Sequence, residues 1–258
     1  MTNSTLLSFD IEGQSTVNRL GYGAMRLTGQ PGNFGPYEDW DAGLSLLRYA
    51  ANSGVNFFDS ARSYGPLTAD QIVGEALEGS NAFIATKGGV DKPAPNQITV
   101  DGSRDTLLRE IDQALVNLRR DQIDLFQLHR IDPNIKVEQS VTALAEAKAD
   151  GRIKHIGLSN VTREQLDRAL AVAPIASVQN RFNMTETLQD DLVDYTADKG
   201  IAFIPYGPLG ANPMQQGAAL EPRTALAWLL KRSPNIIVIP GTTSIDHLKQ
   251  NISALELI

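Results

Sequence analysis

Apolar positions along the chain fall into two alternating rhythms. Short runs rich in β-branched, aromatic and aliphatic residues lie near 55–58, 82–86, 123–128, 153–157, 175–178, 201–204 and 236–239. They have the length and bounds of strands. Between them, apolar residues return every three to four positions near 38–53, 68–78, 103–119, 138–149, 162–172, 187–199, 222–232 and 244–255, the period of an amphipathic helix. Asn18 to Tyr22 supplies a further strand at the front, so that strands and helices each number eight. Strict alternation predicts a parallel sheet, because each crossover must cover a face. Eight such units at this length predict an α/β fold of the (β/α)8 TIM barrel type, one domain over residues 1–258. Ahead of it, Leu6 to Ile11 and Gln14 to Val17, joined at Glu12-Gly13, read as an N-terminal β-hairpin. An open doubly wound sheet is the rival architecture. Its G-x-G-x-x-G signature is not completed by Gly21-Tyr22-Gly23-Ala24-Met25-Arg26.

Helix starts and strand ends then locate the chemistry. Thr68-Ala69-Asp70-Gln71 and Thr162-Arg163-Glu164-Gln165 both fit the capping box, in which a hydroxyl and an amide satisfy orphan backbone donors reciprocally. If Thr162 caps its helix, Ser159-Asn160 just before it is released for another task. The apolar run Val55 to Phe58 ends on Asp59, and Tyr64 follows in a loop closed by Gly65-Pro66. The run Ala82 to Thr86 ends on Lys87, and Ile123 to Leu128 ends on His129. Taken singly, Asp59 and Tyr64 read equally well as a turn aspartate and a packed aromatic. Together the strand ends offer an acid, a phenol, an ammonium and an imidazole on the face where a barrel of this kind carries its active site. Gln179-Asn180, Tyr206 to Gly210, and Gly241-Thr242-Thr243-Ser244 end on that face too. The last group combines unhindered backbone N–H groups with hydroxyls and a helix start, which suits an anion.

Composition narrows the classes. A net charge of −7 with no basic run longer than a pair argues against a nucleic-acid surface. The absence of cysteine excludes disulfides, thiolate nucleophiles and Cys-ligated metals, and three histidines make a His-rich metal site improbable, so no metal is expected. No stretch has the length and apolarity of a membrane span, and Met1-Thr2-Asn3-Ser4-Thr5 lacks a basic leader. The expectation is a cytoplasmic protein, monomeric or weakly homo-oligomeric.

Several runs carry a resemblance: Arg19-Leu20-Gly21-Tyr22-Gly23-Ala24-Met25, Asn56 to Ala61 with Tyr64-Gly65-Pro66, Thr86-Lys87, Ile123 to Arg130, His155 to Asn160, Val178-Gln179-Asn180 and Ile239-Pro240-Gly241-Thr242. In this order they resemble the aldo-keto reductases, nicotinamide-dependent (β/α)8 oxidoreductases, and within them a bacterial branch with pyridoxal-reductase-like members. The resemblance implies reduction of a small aldehyde or ketone by NADPH, with NADH also possible. It implies a catalytic tetrad of Asp59, Tyr64, Lys87 and His129, with Tyr64 the proton donor. A free phenol has a pKa of about 10, and a neighbouring Lys87 ammonium is expected to lower it while Asp59 keeps Lys87 charged. It further implies that Ser159, Asn160 and Gln179 hold the carboxamide, that Tyr206 stacks under the nicotinamide, and that Gly207 to Leu209 follow the pyrophosphate. Gly241, Thr242, Thr243, Ser244 and His247 would take the 2′-phosphate, Gln250 and Asn251 would face adenine, and Gly23, Ala24 and Met25 would line the ribose and cleft. Some relatives of this fold serve as redox-sensing regulatory subunits, which keeps a nicotinamide-binding partner protein open as the alternative.

Two departures from the family pattern carry expectations. Where many members place cations for the 2′-phosphate, this chain has Gly241 and His247, so a reduced preference for NADPH over NADH is expected. The stretch from Gly210 to Pro222 is short, and relatives continue beyond the position of Ile258 into a loop that closes over the substrate. A less enclosed cleft with broad substrate acceptance is the corresponding expectation.

Overall fold

Apolar runs and amphipathic stretches fold, in the computed structural model, into a ring of parallel strands jacketed by helices; the structure describes residues 7–210 and 220–258. A hairpin of β1 (Ser8–Ile11) and β2 (Ser15–Asn18) comes first. The chain then runs through β3 (Tyr22–Gly23), α1 (Trp40–Asn52), β4 (Phe57–Asp59), α2 (Thr68–Ala76) and β5 (Phe83–Gly88). A second hairpin, β6 (Val90–Ala94) and β7 (Gln97–Val100), precedes α3 (Arg104–Leu118) and β8 (Ile123–Leu128). Next come α4 (Val137–Ala149), β9 (Ile153–Ser159), α5 (Arg163–Leu170), β10 (Ser177–Gln179), α6 (Asp190–Asp198) and β11 (Ala202–Phe203). Then come α7 (Pro222–Arg232), α8 (Ile245–Ile252) and a closing 3-10 helix over Ser253–Leu257.

The sheet order β11-β10-β9-β8-β5-β4-β3 is parallel throughout. Residues 236–238 fill the eighth position and join its two edges. Ile236 bridges Phe203 on one side and Val238 bridges Leu20 on the other, both parallel. Four backbone bonds make the seam: Phe203 to Asn235, Ile237 to Phe203, Val238 to Arg19 and Gly21 to Val238, at 2.8–2.9 Å. The buried guanidinium of Arg19 closes it further. Its Nε donates to Ile236 O at 2.9 Å, and its Nη2 to Leu230 O at 2.6 Å and Ser233 O at 2.5 Å. Burial pulls this guanidinium down to about 10, still charged at neutral pH.

Two cores follow from the period-2 alternation of the strands. Phe58 faces the helices and joins the large outer core, whereas Phe57 faces the barrel axis. There it stacks on Phe83 at 5.3 Å, among Ala85, Leu125, Ile204 and Ile237. The N-terminal hairpin floors this inner core with Ile11 and Val17, both fully buried. A polar latch holds it: Glu12 Oε2 lies 2.5 Å from His155 Nδ1 and accepts from Lys148 Nζ at 3.0 Å. His155 Nε2 meets Ser15 Oγ at 3.2 Å.

Four sequence expectations need correcting. The first barrel strand is Tyr22–Gly23, with Leu20 tied in only through the seam, because Arg19 turns its side chain to the closure. The eighth strand exists as bridges rather than as a continuous ladder. Thr68 does not cap α2. The position before the helix is Leu67 in a left-handed conformation (φ 65°), and Thr68 Oγ1 donates back to Gly65 O. The hairpin of β6 and β7 has no counterpart among the predicted strands; Asn96 at φ 63° turns it. The Thr162 capping box is as expected, with both reciprocal bonds formed at 3.2 and 2.9 Å. The stretch after Gly210 lies mostly at 211–219, outside the described residues.

Candidate active site

At the C-terminal mouth of the ring lies a cavity of about 310 Å³. Its lining includes Gly23, Met25, Asp59, Tyr64, His129, Ser159, Asn160, Gln179, Tyr206, Gly207, Leu209 and Gly241, all singled out from sequence. Strand ends explain the convergence. Asp59, Lys87 and Ser159 are at or near the last positions of β4, β5 and β9, and His129 follows β8 directly.

Lys87 is the centre of the site and is fully buried. Its ammonium donates to Asp59 Oδ2 at 2.6 Å, to Ser60 O at 2.7 Å and to Tyr64 Oη at 3.4 Å. An ammonium offers three donors, and all three are used. Asp59 Oδ1, the other carboxylate oxygen, accepts from Gln179 Nε2 at 2.9 Å and Gln127 Nε2 at 3.2 Å. Such a buried ion pair persists only when its remaining lone pairs and protons are satisfied, and here they are. Breaking it by removing either partner would cost roughly 3–5 kcal/mol.

The electrostatics assign states. Burial disfavours the charged form of Lys87, but the Asp59 carboxylate and the Tyr64 phenol outweigh it, so the ammonium is held more firmly than in water. Burial raises the Tyr64 phenol, and Lys87 offsets only part of that rise. The expectation of a lowered phenol is therefore corrected for this state: Tyr64 stays protonated at neutral pH. Burial, then Lys87 and Arg130, push His129 well below the usual histidine range, so its imidazole is neutral. Ser63 Oγ lies 3.4 Å from Nδ1 of His129, which leaves Nε2 for the cavity. The His129 ring meets the Tyr64 ring edge-on at 5.9 Å.

A second polar layer spans the opposite wall. Tyr206 Oη donates to Asn160 Oδ1 at 2.8 Å, and Asn160 Nδ2 donates to His129 O at 3.1 Å and to Ser159 Oγ at 3.0 Å. Asn160 adopts φ 57°, a conformation that asparagine tolerates better than most residues. Ser159 Oγ donates to Gln179 O at 2.9 Å. Among the described residues no donor reaches Gln179 Oε1, so an acceptor remains on the lining.

The cradle for a large ligand is backbone-lined. A Cβ at Gly23 would lie 2.7 Å from Ile239 O, and one at Gly241 would lie 2.8 Å from Gly23 O, so two glycines let these strand ends touch. Gly207 holds φ 65° with Pro208 and Leu209 behind it.

Not every sequence candidate reaches the cavity. Thr242 is buried, its carbonyl accepts from Tyr22 Oη, and its Oγ1 accepts from Ser244 N at 3.1 Å. Ser244 Oγ caps α8 by accepting from His247 N at 3.4 Å. Thr243, His247 and Gln250 are exposed and outside the described lining, and Asn251 is buried at 4%. The cavity also takes in Arg26, Arg130, Ile239 and Pro240, which had no assigned role. Arg130 was legible as the residue after His129, and nothing in the spacing marked it. Asp70 was missed as well. Its Oδ1 accepts from Ser60 Oγ at 2.6 Å and Thr86 Oγ1 at 2.8 Å, bracing the residues next to Asp59 and Lys87, and the sequence suggested only a helix start.

Comparisons with known proteins identify the family. The model of the Aldo/keto reductase family matches residues 19–224. Pyridoxine 4-dehydrogenase of Escherichia coli (strain K12) is 39% identical over 95% of this chain and 92% of its own length. The structure of a glycerol dehydrogenase from Gluconobacter oxydans superposes with a TM-score of 0.83 at 22% identity, covering 98% of this chain and 95% of that one. An aldo-keto reductase from Klebsiella pneumoniae in complex with NADPH gives 0.78 at 20% identity, over 96% and 89%. With the family match spanning most of the ring and a relative of this identity along nearly its whole length, the chain belongs to the Aldo/keto reductase family.

Proposed function

We propose that the chain is an NADP(H)-dependent reductase of small aldehydes and ketones, built as one barrel domain, with Tyr64 as the proton donor. The observation that carries this reading is the Lys87 ammonium, bonded at once to the Asp59 carboxylate and the Tyr64 phenol at the floor of a cavity. The residues fit a nicotinamide cofactor: Gln179 Oε1 is an open acceptor for the carboxamide N–H, and the Asn160 Nδ2 hydrogen now given to Ser159 Oγ would turn to the carboxamide oxygen. Tyr206 offers a ring face, and Gly207 to Leu209 offer close backbone approach for a pyrophosphate. When bound, the cofactor supplies the electron pair of the reduction.

The remaining steps belong to the chain. The neutral His129 donates through Nε2 to the carbonyl oxygen and fixes it beside Tyr64. Tyr64, kept protonated by burial, delivers its proton to that oxygen as charge develops there. Lys87 stabilises the phenolate left behind, and Asp59 with its two glutamine donors holds Lys87 in line. The exposed residues Thr243 and His247 support a modest preference for NADPH over NADH. The E. coli relative's name points to pyridine aldehydes as substrates to be tried first.

The test is initial-rate measurement with NADPH and NADH over aliphatic, aromatic and pyridine aldehydes, with Tyr64→Phe alongside. Tyr64→Phe should lose at least about two orders of magnitude in rate while NADPH still binds. Near-wild-type turnover in that variant would sink the mechanism, and no turnover on any aldehyde would sink the function.

A further inference from the structure

Among the described residues that line the cavity, arginines outnumber carboxylates, in a protein whose net charge is −7. The one carboxylate among these described residues, Asp59, is already claimed by Lys87, while two guanidiniums, Arg26 and Arg130, line the opening. The two stand at different walls. The Arg26 stem lies by Gly241, where a Cβ would come within 3.6 Å of it, on the wall assigned above to the cofactor. Arg130 follows His129 at the end of β8, and its charge acts on both His129 and Tyr206. It therefore sits at the reacting end of the cavity.

Arg130 is also exceptional in its contacts. Among the described residues it is the one arginine with no hydrogen bond, ion pair or ring contact, and its side chain is exposed. Other arginines near the mouth are tied down. Arg181 forks onto Glu186, and Arg62 pairs with Glu110 at 3.0 Å. A cation in a cleft, with no acid to neutralise it, is an anion receptor in search of its anion.

Resting on the reading of the chain as a carbonyl reductase, we infer that its substrates carry an anionic group, a carboxylate or a phosphate monoester, which Arg130 receives while the carbonyl oxygen lies against Tyr64 and His129. A planar guanidinium binds either oxyanion through two parallel N–H donors, which fixes orientation as well as affinity. The neutral state of His129 sharpens this assignment, because it leaves Arg130 as the fixed positive charge next to the reacting oxygen's hydrogen-bond donor.

The experiment compares matched pairs with NADPH saturating: 4-carboxybenzaldehyde against its neutral methyl ester, and 4-formylphenyl phosphate against 4-methoxybenzaldehyde. Wild type should favour the anionic member by at least tenfold in kcat/KM, mainly through KM, and the preference should shrink as salt rises. The pair with the larger ratio identifies carboxylate or phosphate. Arg130→Gln should collapse the ratio toward one, and Arg130→Lys should restore part of it, with thermal melts confirming that both variants fold. Calorimetric binding of the product 4-carboxybenzyl alcohol to the NADPH-loaded chain gives a readout independent of turnover, and Arg130→Gln should weaken it by a similar factor. Equal kcat/KM within both pairs would overturn the inference. So would an Arg130→Gln effect that falls on the KM for NADPH and leaves the ratio unchanged. Turnover of the neutral aldehydes with no anionic preference defeats Arg130 alone, whereas no turnover of any member defeats the reductase reading, and the binding measurement then decides on Arg130.

Discussion

At the scale of single residues, Asp70 shows how a site is braced from behind. It is fully buried, its Oδ2 finds no hydrogen-bond partner, and burial raises it to about 6 despite the bonds from Ser60 and Thr86. The folded chain thus holds this proton more tightly than the unfolded chain, whose aspartates titrate near about 3.9. The stabilisation is present in full below about pH 4 and is lost as pH rises through about 6. A shift of this size corresponds to roughly 3 kcal/mol. Asp70→Asn keeps an acceptor for both hydroxyls and removes the buried charge. About half of the loss has already occurred at pH 5, so the variant should gain a further ~1.4 kcal/mol of stability relative to wild type between pH 5 and pH 8, in urea unfolding at the two pH values. A pH-independent difference would refute the assignment. Of the proposed catalytic set, Asp59, Lys87 and His129 were legible because each ends an apolar run, and a strand's end in a barrel fixes where a side chain goes; Tyr64 was legible only by its place in the loop after Asp59. Asp70 was not legible. Its hydroxyl partners are separated from it by 10 and 16 positions, and only the fold brings them together. The direction of the Tyr64 shift was misread for a related reason: the sequence shows a lysine nearby but not how deeply the phenol is buried.

At the scale of elements, the seam of the barrel explains why the first and last strands were the poorest expectations. Periodicity registers apolar content, and 236–239 has it; what that stretch lacks is a continuous ladder. Its place is held by three carbonyls gathered on Arg19. Each charge-assisted bond of this kind contributes about 1.5–3 kcal/mol, and truncation leaves buried acceptors without donors. Arg19→Met is expected to destabilise the chain by roughly 3–5 kcal/mol, read by denaturant unfolding. A loss below about 1 kcal/mol, the worth of an ordinary neutral hydrogen bond, would show that the ladder alone suffices. The hairpin of β6 and β7 is not marked by hydrophobic periodicity because its strands are short, β6 contains Pro93, and β7 is largely exposed, Ile98 included. It ties to the loop after β3, where Lys92 Nζ donates to Asn33 O at 3.1 Å, and contributes none of the described residues that line the cavity.

At the scale of the molecule, the eightfold alternation was readable because it depends on nearest-neighbour rules alone, short parallel strands and crossovers that must cover them. The seam described above has a further meaning when the barrel is considered as a fluctuating object. A closed ring in which six junctions are laddered and two, on either side of 236–238, rest on isolated bridges opens most cheaply at those two, and local opening free energies differ across a fold accordingly. Native-state hydrogen exchange should then show the amides of Gly21, Ile237 and Val238 exchanging through a lower-energy opening than those of β8 and β9. Gly23, Ile239 and Gly241, which flank the seam, also line the ligand cavity. Anything bound across them must be expelled before the ring can part. NADPH at a hundredfold excess over its Kd should raise the opening energy of the seam amides by about 2.7 kcal/mol. The cofactor would then act as the barrel's missing rung, making the time the ring spends closed a function of the reducing supply around it.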